Sequence, residues 1–470
     1  MPDFDLAVIG AGAAGLSVAA GAAQLGLRVA LIERDRMGGN GLNGGSVPSK
    51  ALLAAARAAE AARHAGRFGV VVPAPEIDWQ SVRAHVQRAI AAIAPMESEA
   101  RYRALGAHVL RGQARFGAPD ALSVDGRRLT ARRIIIATGS RAALPPIPGL
   151  DRVPFLTHAT LFDLPERPTH LLILGGGPLA LEMAEAFTGL GARVTVVEAG
   201  AIAAGEDPEL TGGLREALLR RGVALLEHEA VEAVQPGPTL ILADGRRIAG
   251  SHLLVATGRQ PNIEDLDLAA GNVQASRVGI VTDRGLRSPT NRRVYAVGDI
   301  ADPAGLGPRA FTHVGLYHAG IVLRRVLFRL PARLDYAALP RVTCTSPELA
   351  QTGLTEAEAR ATGRTVFVLR APLADNDRAV TEGEPTGLVK LVVSRGRLVG
   401  AGILAPHAGE IIGAYSLAIA RRVPVAALAS LVLPYPTRAE AGKRAAGSLF
   451  AARLLSPRTK SLVRLLARLP

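Results

Sequence analysis

Apolar positions in this chain come in short unbroken runs, with little strict alternation. Asp5-Leu6-Ala7-Val8-Ile9 predicts a strand covered on both faces, as in a parallel sheet. A small-residue turn, Gly10-Ala11-Gly12-Ala13-Ala14-Gly15, then opens a helix of small residues to about Leu25. A second run, Arg28-Val29-Ala30-Leu31-Ile32, ends in Glu33. The same order returns later. Leu171-Leu172-Ile173-Leu174 is a strand, Gly175-Gly176-Gly177-Pro178-Leu179-Ala180 a turn, and Arg193-Val194-Thr195-Val196-Val197-Glu198 a strand with its terminal acid. Ile134–Ile136 and Leu253–Val255 end in the matching turns Ala137-Thr138-Gly139-Ser140 and Ala256-Thr257-Gly258-Arg259. From about residue 336 the character changes: 340–350 and 387–392 read as sheet strands, 355–361 and 408–421 as helices.

Each strand–turn–helix–strand unit is a dinucleotide fingerprint. Gly10 makes the tight turn, Gly12 lets a pyrophosphate approach the backbone, and Gly15 lets helix and strand pack closely. The helix N-terminus receives the phosphates, and Glu33 accepts from ribose hydroxyls. Gly175, Gly177, Ala180 and Glu198 repeat the pattern, so two nucleotides are expected, one held and one exchanged. Ala180 in the third glycine position is often met in NADP sites, but Glu198 would repel a 2′-phosphate. NADH is therefore expected in preference to NADPH.

The 470 residues, 49% of them hydrophobic, suffice for two or three domains. No apolar run is long enough for a transmembrane span, and Asp3-Phe4-Asp5 leads directly into a strand with no secretory leader, so a cytoplasmic protein is expected. The single cysteine, Cys344, excludes an intramolecular disulfide and thiolate metal clusters, and no metal is expected. The formal charge of +14 gains meaning where it is localised. After Glu440 there is no acidic residue, whereas Lys443, Arg444, Arg453, Arg458, Lys460, Arg464 and Arg468 occur. From Pro457 the tail reads as a helix begun by proline, with Leu462, Leu465, Leu466 and Leu469 on one face and Lys460, Arg464 and Arg468 on another. Such a helix suits an anionic membrane surface; its leucines packing on a dimer is the alternative. No nucleic-acid partner is expected.

The segment Gly38-Gly39-Asn40-Gly41-Leu42-Asn43-Gly44-Gly45-Ser46-Val47-Pro48-Ser49-Lys50 resembles the redox-disulfide segment of the flavoprotein disulfide reductases, the dihydrolipoamide dehydrogenase and mercuric reductase family. In that family the positions of Gly41 and Ser46 are the redox cysteines. Val294-Tyr295-Ala296-Val297-Gly298-Asp299 resembles the family's second flavin signature, and the resemblance extends from residue 4 to about 450. It implies an α/β fold with two Rossmann-like dinucleotide-binding domains, for FAD and NAD, and a C-terminal α+β dimerisation domain. The implied division is 1–150 and 273–335 for FAD, 151–272 for NAD(P)H, 336–455 for the interface of a homodimer, and 456–470 for the basic tail.

The resemblance also implies site residues. FAD falls to Gly10, Gly12, Ala14, Gly15, Glu33, Arg34, Gly39, Lys50, Ala114, Thr138, Gly139, Thr312 and Asp299, the last on the ribitol. NAD falls to Gly175, Gly177, Ala180, Glu182, Glu198, Val231 and Gly258. Lys50 would lie near the reacting edge of the flavin and pair with Glu182. The segment Pro434-Tyr435-Pro436-Thr437-Arg438-Ala439-Glu440 matches that of the family's partner-subunit His–Glu pair; Glu440 is kept and Tyr435 stands where the histidine would be. With an unperturbed pKa of about 10, a tyrosine is a poor base at neutral pH. Cys344 is expected to be buried and structural, far from the flavin, and His313 and His318 to be hydrogen-bonded helix residues. An FAD-dependent NADH oxidoreductase passing electrons to a non-disulfide small-molecule acceptor, a quinone, is the resulting expectation. A soluble pyridine nucleotide transhydrogenase and a non-catalytic flavin-binding subunit are the alternatives.

Overall fold

The computed structural model describes residues 1–469, apart from the side chains of 452 and 453. The chain divides into two compact units. One comprises Met1–Gly175, Ala186–Thr195 and Ala230–Leu334, the other Gly176–Glu185, Val196–Glu229 and the chain from Asp335 onward. The division falls inside the second fingerprint, after Gly175.

In the first unit, the strands Phe4–Ile9, Val29–Glu33, Ala107–Arg111, Arg127–Ile136 and Val294–Ala296 make a parallel sheet in which Phe4–Ile9 lies between Val29–Glu33 and Arg127–Ile136. Ile9 stands beside both Ile32 and Ile136, so the strands end in register and their following turns cluster at the carboxyl edge, where sheets of this kind bind ligands. The unbroken apolar runs are explained by burial on both faces: Ala7, Val8, Leu31, Ile134 and Ile135 are inaccessible to solvent. The fingerprint helix Ala13–Ala23 is built of small residues because the helix Thr312–Val326 packs closely on it. A Cβ at Gly21 would come within 2.7 Å of Leu323, and one at Gly315 within 3.1 Å of Ala14. A further pairing, His170–Leu174 parallel to His252–Val255, carries Gly175 and Ala256 at its end.

In the second unit five antiparallel strands run in the order Arg341–Thr343, Glu348–Gly353, Arg397–Ala405, Leu388–Ser394, Val366–Pro372. The stretch 340–350 is thus two strands separated by the turn Cys344–Pro347. The helices Ala408–Ala420 and Glu440–Leu454 contribute Ile412, Tyr415, Ala441 and Ala445 to the core of this sheet. Lys390 is buried with its ammonium among Asp207, Glu209 and Glu356 at 2.8–3.0 Å. Arg370 and Lys390 hold the Glu209 carboxyl down at about 2.

The tail forms the helix Pro457–Leu466, capped by the Ser456 hydroxyl on the Thr459 N–H. Leu462, Leu465, Leu466 and Leu469 are each more than half exposed, and Leu454 and Leu455 continue that apolar surface. The side chain of Arg453 lies outside the described residues. Among the described residues, no helix is long and apolar enough to cross a membrane.

Candidate functional site

The first fingerprint turn is fixed by its glycines and by Glu33. A Cβ at Gly10 would stand 2.4 Å from the Ala137 carbonyl oxygen, and φ there is +104°. A Cβ at Gly15 would stand 2.0 Å from the Gly10 carbonyl oxygen. Glu33 takes the Ala11 N–H on Oε2 at 2.6 Å and the Asp35 N–H on Oε1 at 2.8 Å, so the acid is tied into the turn and keeps lone pairs for ribose hydroxyls. Beside it lies a pocket open to solvent and lined by Gly10, Glu33, Arg34, Ala114, Thr138 and Arg141 among others. Arg34 stands at its rim, held by Gln113 and Asp265 at 3.1 Å each. At Gly12 the nearest atom to an added Cβ is Gly39 Cα, 3.8 Å away, and at Gly139 there is none within 4 Å. Open backbone at the turn and a solvent-open pocket bordered by the turn's acid fit the adenosine and pyrophosphate of FAD.

Asp299 is the centre of a cluster that sequence reasoning missed. The Ser140 hydroxyl donates to Asp299 Oδ2 at 2.6 Å, Arg259 Nε lies 3.2 Å from the same oxygen, and Arg259 Nε donates to Ser140 Oγ at 2.7 Å. Asn40 Nδ2 donates to the Ser140 carbonyl at 2.6 Å. Ser140 and Arg259 follow Thr-Gly in the two matching turns, and their strands Ser140–Ala142 and Arg259–Pro261 pair antiparallel. The repeated motif was therefore the available signal. Thr138 Oγ1 donates to the Asn262 carbonyl, whose amide group returns a bond to the Thr138 carbonyl, both at 2.9 Å. His158, buried beside Arg259 and Asp299, is pushed down to about 4, by burial first and by Arg259 second. His318 is fully buried, as expected of a helix residue; its Nδ1 accepts the Gly298 N–H at 3.0 Å and burial takes it to about 4. His313 is exposed and stacks on Phe311, with ring centroids 5.3 Å apart.

The loop without cysteines lies directly on the fingerprint turn. The Gly38 N–H donates to the Ala11 carbonyl, and a Cβ at Gly39 would meet Gly12 Cα at 2.8 Å. A short helix, Gly39–Asn43, and a long one, Ser46–His64, follow, putting Gly41 and Ser46 opposite Thr312. Ser46 Oγ is 3.5 Å from Thr312 Oγ1, and a Cβ at Gly41 would meet only Thr312, at 3.8 Å and beyond. Lys50 is exposed one turn farther along the same helix.

In the second unit, Glu198 repeats the bonding of Glu33: Oε2 takes the Gly176 N–H at 2.6 Å and Oε1 the Gly200 N–H at 2.8 Å. Ala180 is fully buried, and nothing lies within 4 Å of a Cβ at Gly177. In the first unit Gly175 packs on the Ala256 carbonyl as Gly10 does on Ala137, Gly258 is open apart from Ala143 Cβ at 3.9 Å, and Val231 begins the strand Val231–Gln235. Glu182 is buried and accepts the Cys344 N–H at 2.9 Å, while Glu185 accepts the Ser346 N–H at 2.7 Å. This corrects the expectation for Cys344. The residue is half-buried, not fully buried, and its backbone sits on the very carboxylate assigned to the nicotinamide. The two helix glutamates draw in the turn that separates the first two strands of the sheet.

Tyr435 and Glu440 are not brought together as a pair. The Tyr435 hydroxyl donates to Asp377 Oδ2 at 2.8 Å, and Asp377 raises the phenol above its ordinary value of 10. Glu440 instead takes the Thr437 N–H at 3.0 Å, tying the segment ahead of it to the first residue of the helix. Tyr435 is 72% exposed, so its ring is presented outward on a tethered hydroxyl.

Comparison with known proteins gives this architecture its relatives. Residues 4–321 match the family described as pyridine nucleotide-disulphide oxidoreductase, and 339–446 match that family's dimerisation domain. The mercuric reductase of Streptomyces lividans is 36% identical over 458 residues, spanning 94% of this chain and 95% of that protein. The mercuric reductase of Lysinibacillus sphaericus is 32% identical over 94% of this chain and 82% of its own length. Among solved structures, the HOCl-induced flavoprotein disulfide reductase RclA of Escherichia coli superposes with a TM-score of 0.84 at 26% identity, covering 94% of this chain and 99% of that one. Its dimerisation domain supports a homodimer, and its relatives are oxidoreductases that use FAD with NAD(P)H. The chain belongs to the pyridine nucleotide-disulphide oxidoreductase family.

Proposed function

We propose that this protein is an FAD-dependent NADH oxidoreductase that passes electrons to a quinone without a redox-active disulfide. The observation that carries the reading is Gly41 and Ser46 standing where relatives keep the two cysteines, with both fingerprint acids still tied into their turns. On this reading 1–150 and 273–335 hold FAD, 151–272 holds NADH, and 336–455 makes the dimer contact. FAD, when bound, would supply the two-electron chemistry between NADH and the acceptor. The chain's own residues bind and orient. Gly12 and Gly139 leave the backbone open to phosphate and ribityl, Asp299 is aimed by Ser140 and Arg259, and Glu198 disfavours a 2′-phosphate and so selects NADH. Lys50 supplies a cation on the helix after the loop, favouring electron-rich flavin, and Glu182 a carboxylate on the nicotinamide side. Tyr435, with its raised pKa and its proton held toward Asp377, serves as a hydroxyl on the acceptor side and not as a base for thiol exchange, and Glu440 holds the segment that carries it.

Rapid mixing with NADH tests the reading. The flavin is expected to bleach without the long-wavelength thiolate–flavin charge-transfer band of cysteine-bearing relatives, and quinones to re-oxidise it while lipoamide, oxidised glutathione and Hg(II) do not. Appearance of that band, or disulfide turnover, sinks the proposal.

The tail supports a peripheral position on the cytoplasmic face of an anionic membrane, where a quinone is reached from the lipid. Arg458, Lys460, Arg464 and Arg468 accompany the exposed leucines, with no acidic residue after Glu440 to offset them. Deleting 456–470 is expected to release the protein from anionic liposomes while NADH oxidation in solution is unchanged. Undiminished lipid binding by the truncated protein refutes the anchor.

A further inference from the structure

Within the first unit, Ser46, at one of the two cysteine positions of the family, faces a second hydroxyl, that of Thr312. Ser46 Oγ and Thr312 Oγ1 stand 3.5 Å apart, at the outer limit of a mutual hydrogen bond, and both residues are exposed. At that separation both O–H groups can donate to one oxygen about 2.8 Å from each. The third wall is Gly41, where the absent side chain leaves only ordinary contacts with Thr312. Phe311 and His313 flank Thr312 as a stacked ring pair, an aromatic surface beside the hydroxyls. The whole group is anchored to the nucleotide turn through Gly38 on Ala11, Gly39 on Gly12, and Asn40 on Ser140.

We propose that Ser46 and Thr312 together hold one carbonyl oxygen of the quinone, in the space that Gly41 leaves open. The inference rests on the reading above that the acceptor is a quinone. Reduction places negative charge on the carbonyl oxygen, and two fixed donors aimed at it are worth more as that charge grows. The overall change balances as NADH, one proton and quinone giving NAD⁺ and hydroquinone. The hydride carries both electrons and one proton, solvent supplies the second proton, and no bond forms to Ser46 or Thr312. Neither hydroxyl can attack a disulfide as a thiolate does, so the same position that excludes disulfide chemistry receives the carbonyl.

The test uses the purified holoprotein with a short-chain ubiquinone, and with ferricyanide as an acceptor that needs no carbonyl site. The readout is the ratio of kcat/KM for the quinone to that for ferricyanide. With both turnovers counted per bound flavin, since Thr312 is also among the residues assigned to FAD, Ser46→Ala and Thr312→Val are each expected to lower the ratio roughly tenfold, the double variant roughly 100-fold, with quinone KM rising. Ser46→Thr should retain it. Gly41→Leu, which fills the space, should abolish quinone turnover while ferricyanide is still reduced. A ratio unchanged in the double variant and in Gly41→Leu overturns the site. A wild-type protein that reduces ferricyanide but no quinone overturns the acceptor reading instead, a distinguishable failure.

Discussion

Replacing Gly12 by alanine is expected to give a protein that folds and holds no FAD; replacing Gly15 is expected to damage both folding and binding. The difference lies in what each added methyl would meet. At Gly12 the protein leaves room, with Gly39 Cα the nearest atom at 3.8 Å, so the methyl occupies only the space that a pyrophosphate needs. At Gly15 the methyl would stand 2.0 Å from the Gly10 carbonyl oxygen and 3.2 Å from Ala137 Cβ, and neither is the movable end of a flexible side chain. The helix must back away from the turn, at a cost of about 1–3 kcal/mol or more. Flavin content after gel filtration and the melting of the apoprotein separate the two cases. Gly12→Ala should melt as the wild-type apoprotein does and carry no flavin, whereas Gly15→Ala should melt earlier. FAD retained by Gly12→Ala would place the pyrophosphate elsewhere.

Acid is expected to strip the flavin before it unfolds the second unit. His318 and His158 are held neutral at about 4, against 6.5 for an ordinary histidine, chiefly by burial. Between those values the unfolded chain binds a proton that the folded chain refuses. The stability from each group is therefore complete above about pH 6.5 and is lost as pH falls toward 4. For the fully buried His318 the loss amounts to about 3 kcal/mol. It is focused on the flavin side, because protonating Nδ1 breaks the bond from the Gly298 N–H next to Asp299. The rise of free-flavin fluorescence from pH 7 to pH 4 is the measurement. His318→Asn, whose side-chain oxygen can accept the same N–H without titrating, should shift release to lower pH; an unchanged profile would clear His318 of the role.

What could be read in the sequence follows the range of the interactions. The fingerprint turns depend on residues within about thirty positions of each other, and their strands, glycines and acids all lie where the pattern put them. The helices 355–361 and 408–421 appear as Glu356–Ala361 and Ala408–Ala420 for the same reason. The cluster around Asp299 was not legible, because Ser140 and Arg259 reach it across 159 and 40 positions and carry no local pattern beyond the shared Thr-Gly. Tyr435 was found by resemblance to a motif, but its bond to Asp377, 58 positions away, depends on how the loop before Glu440–Leu454 meets the short helix Asp377–Thr381. Glu440, read as half of a pair, turned out to serve the backbone three residues before it. Cys344 was misjudged because a turn drawn in by Glu182 and Glu185 follows the short strand that precedes it.

The way Glu33 and Glu198 are bound limits how this protein could be redesigned. Each carboxylate is fastened by two backbone N–H groups of the turn beside it, so on the proposed reading, in which it also meets a ribose, it is a structural strut as well. Exchanging Glu198 for a neutral or basic residue to admit a 2′-phosphate would also release the Gly176 and Gly200 amides. Cofactor preference and the shape of the phosphate turn are thus one variable, and a switch in preference requires rebuilding the turn together with the charge.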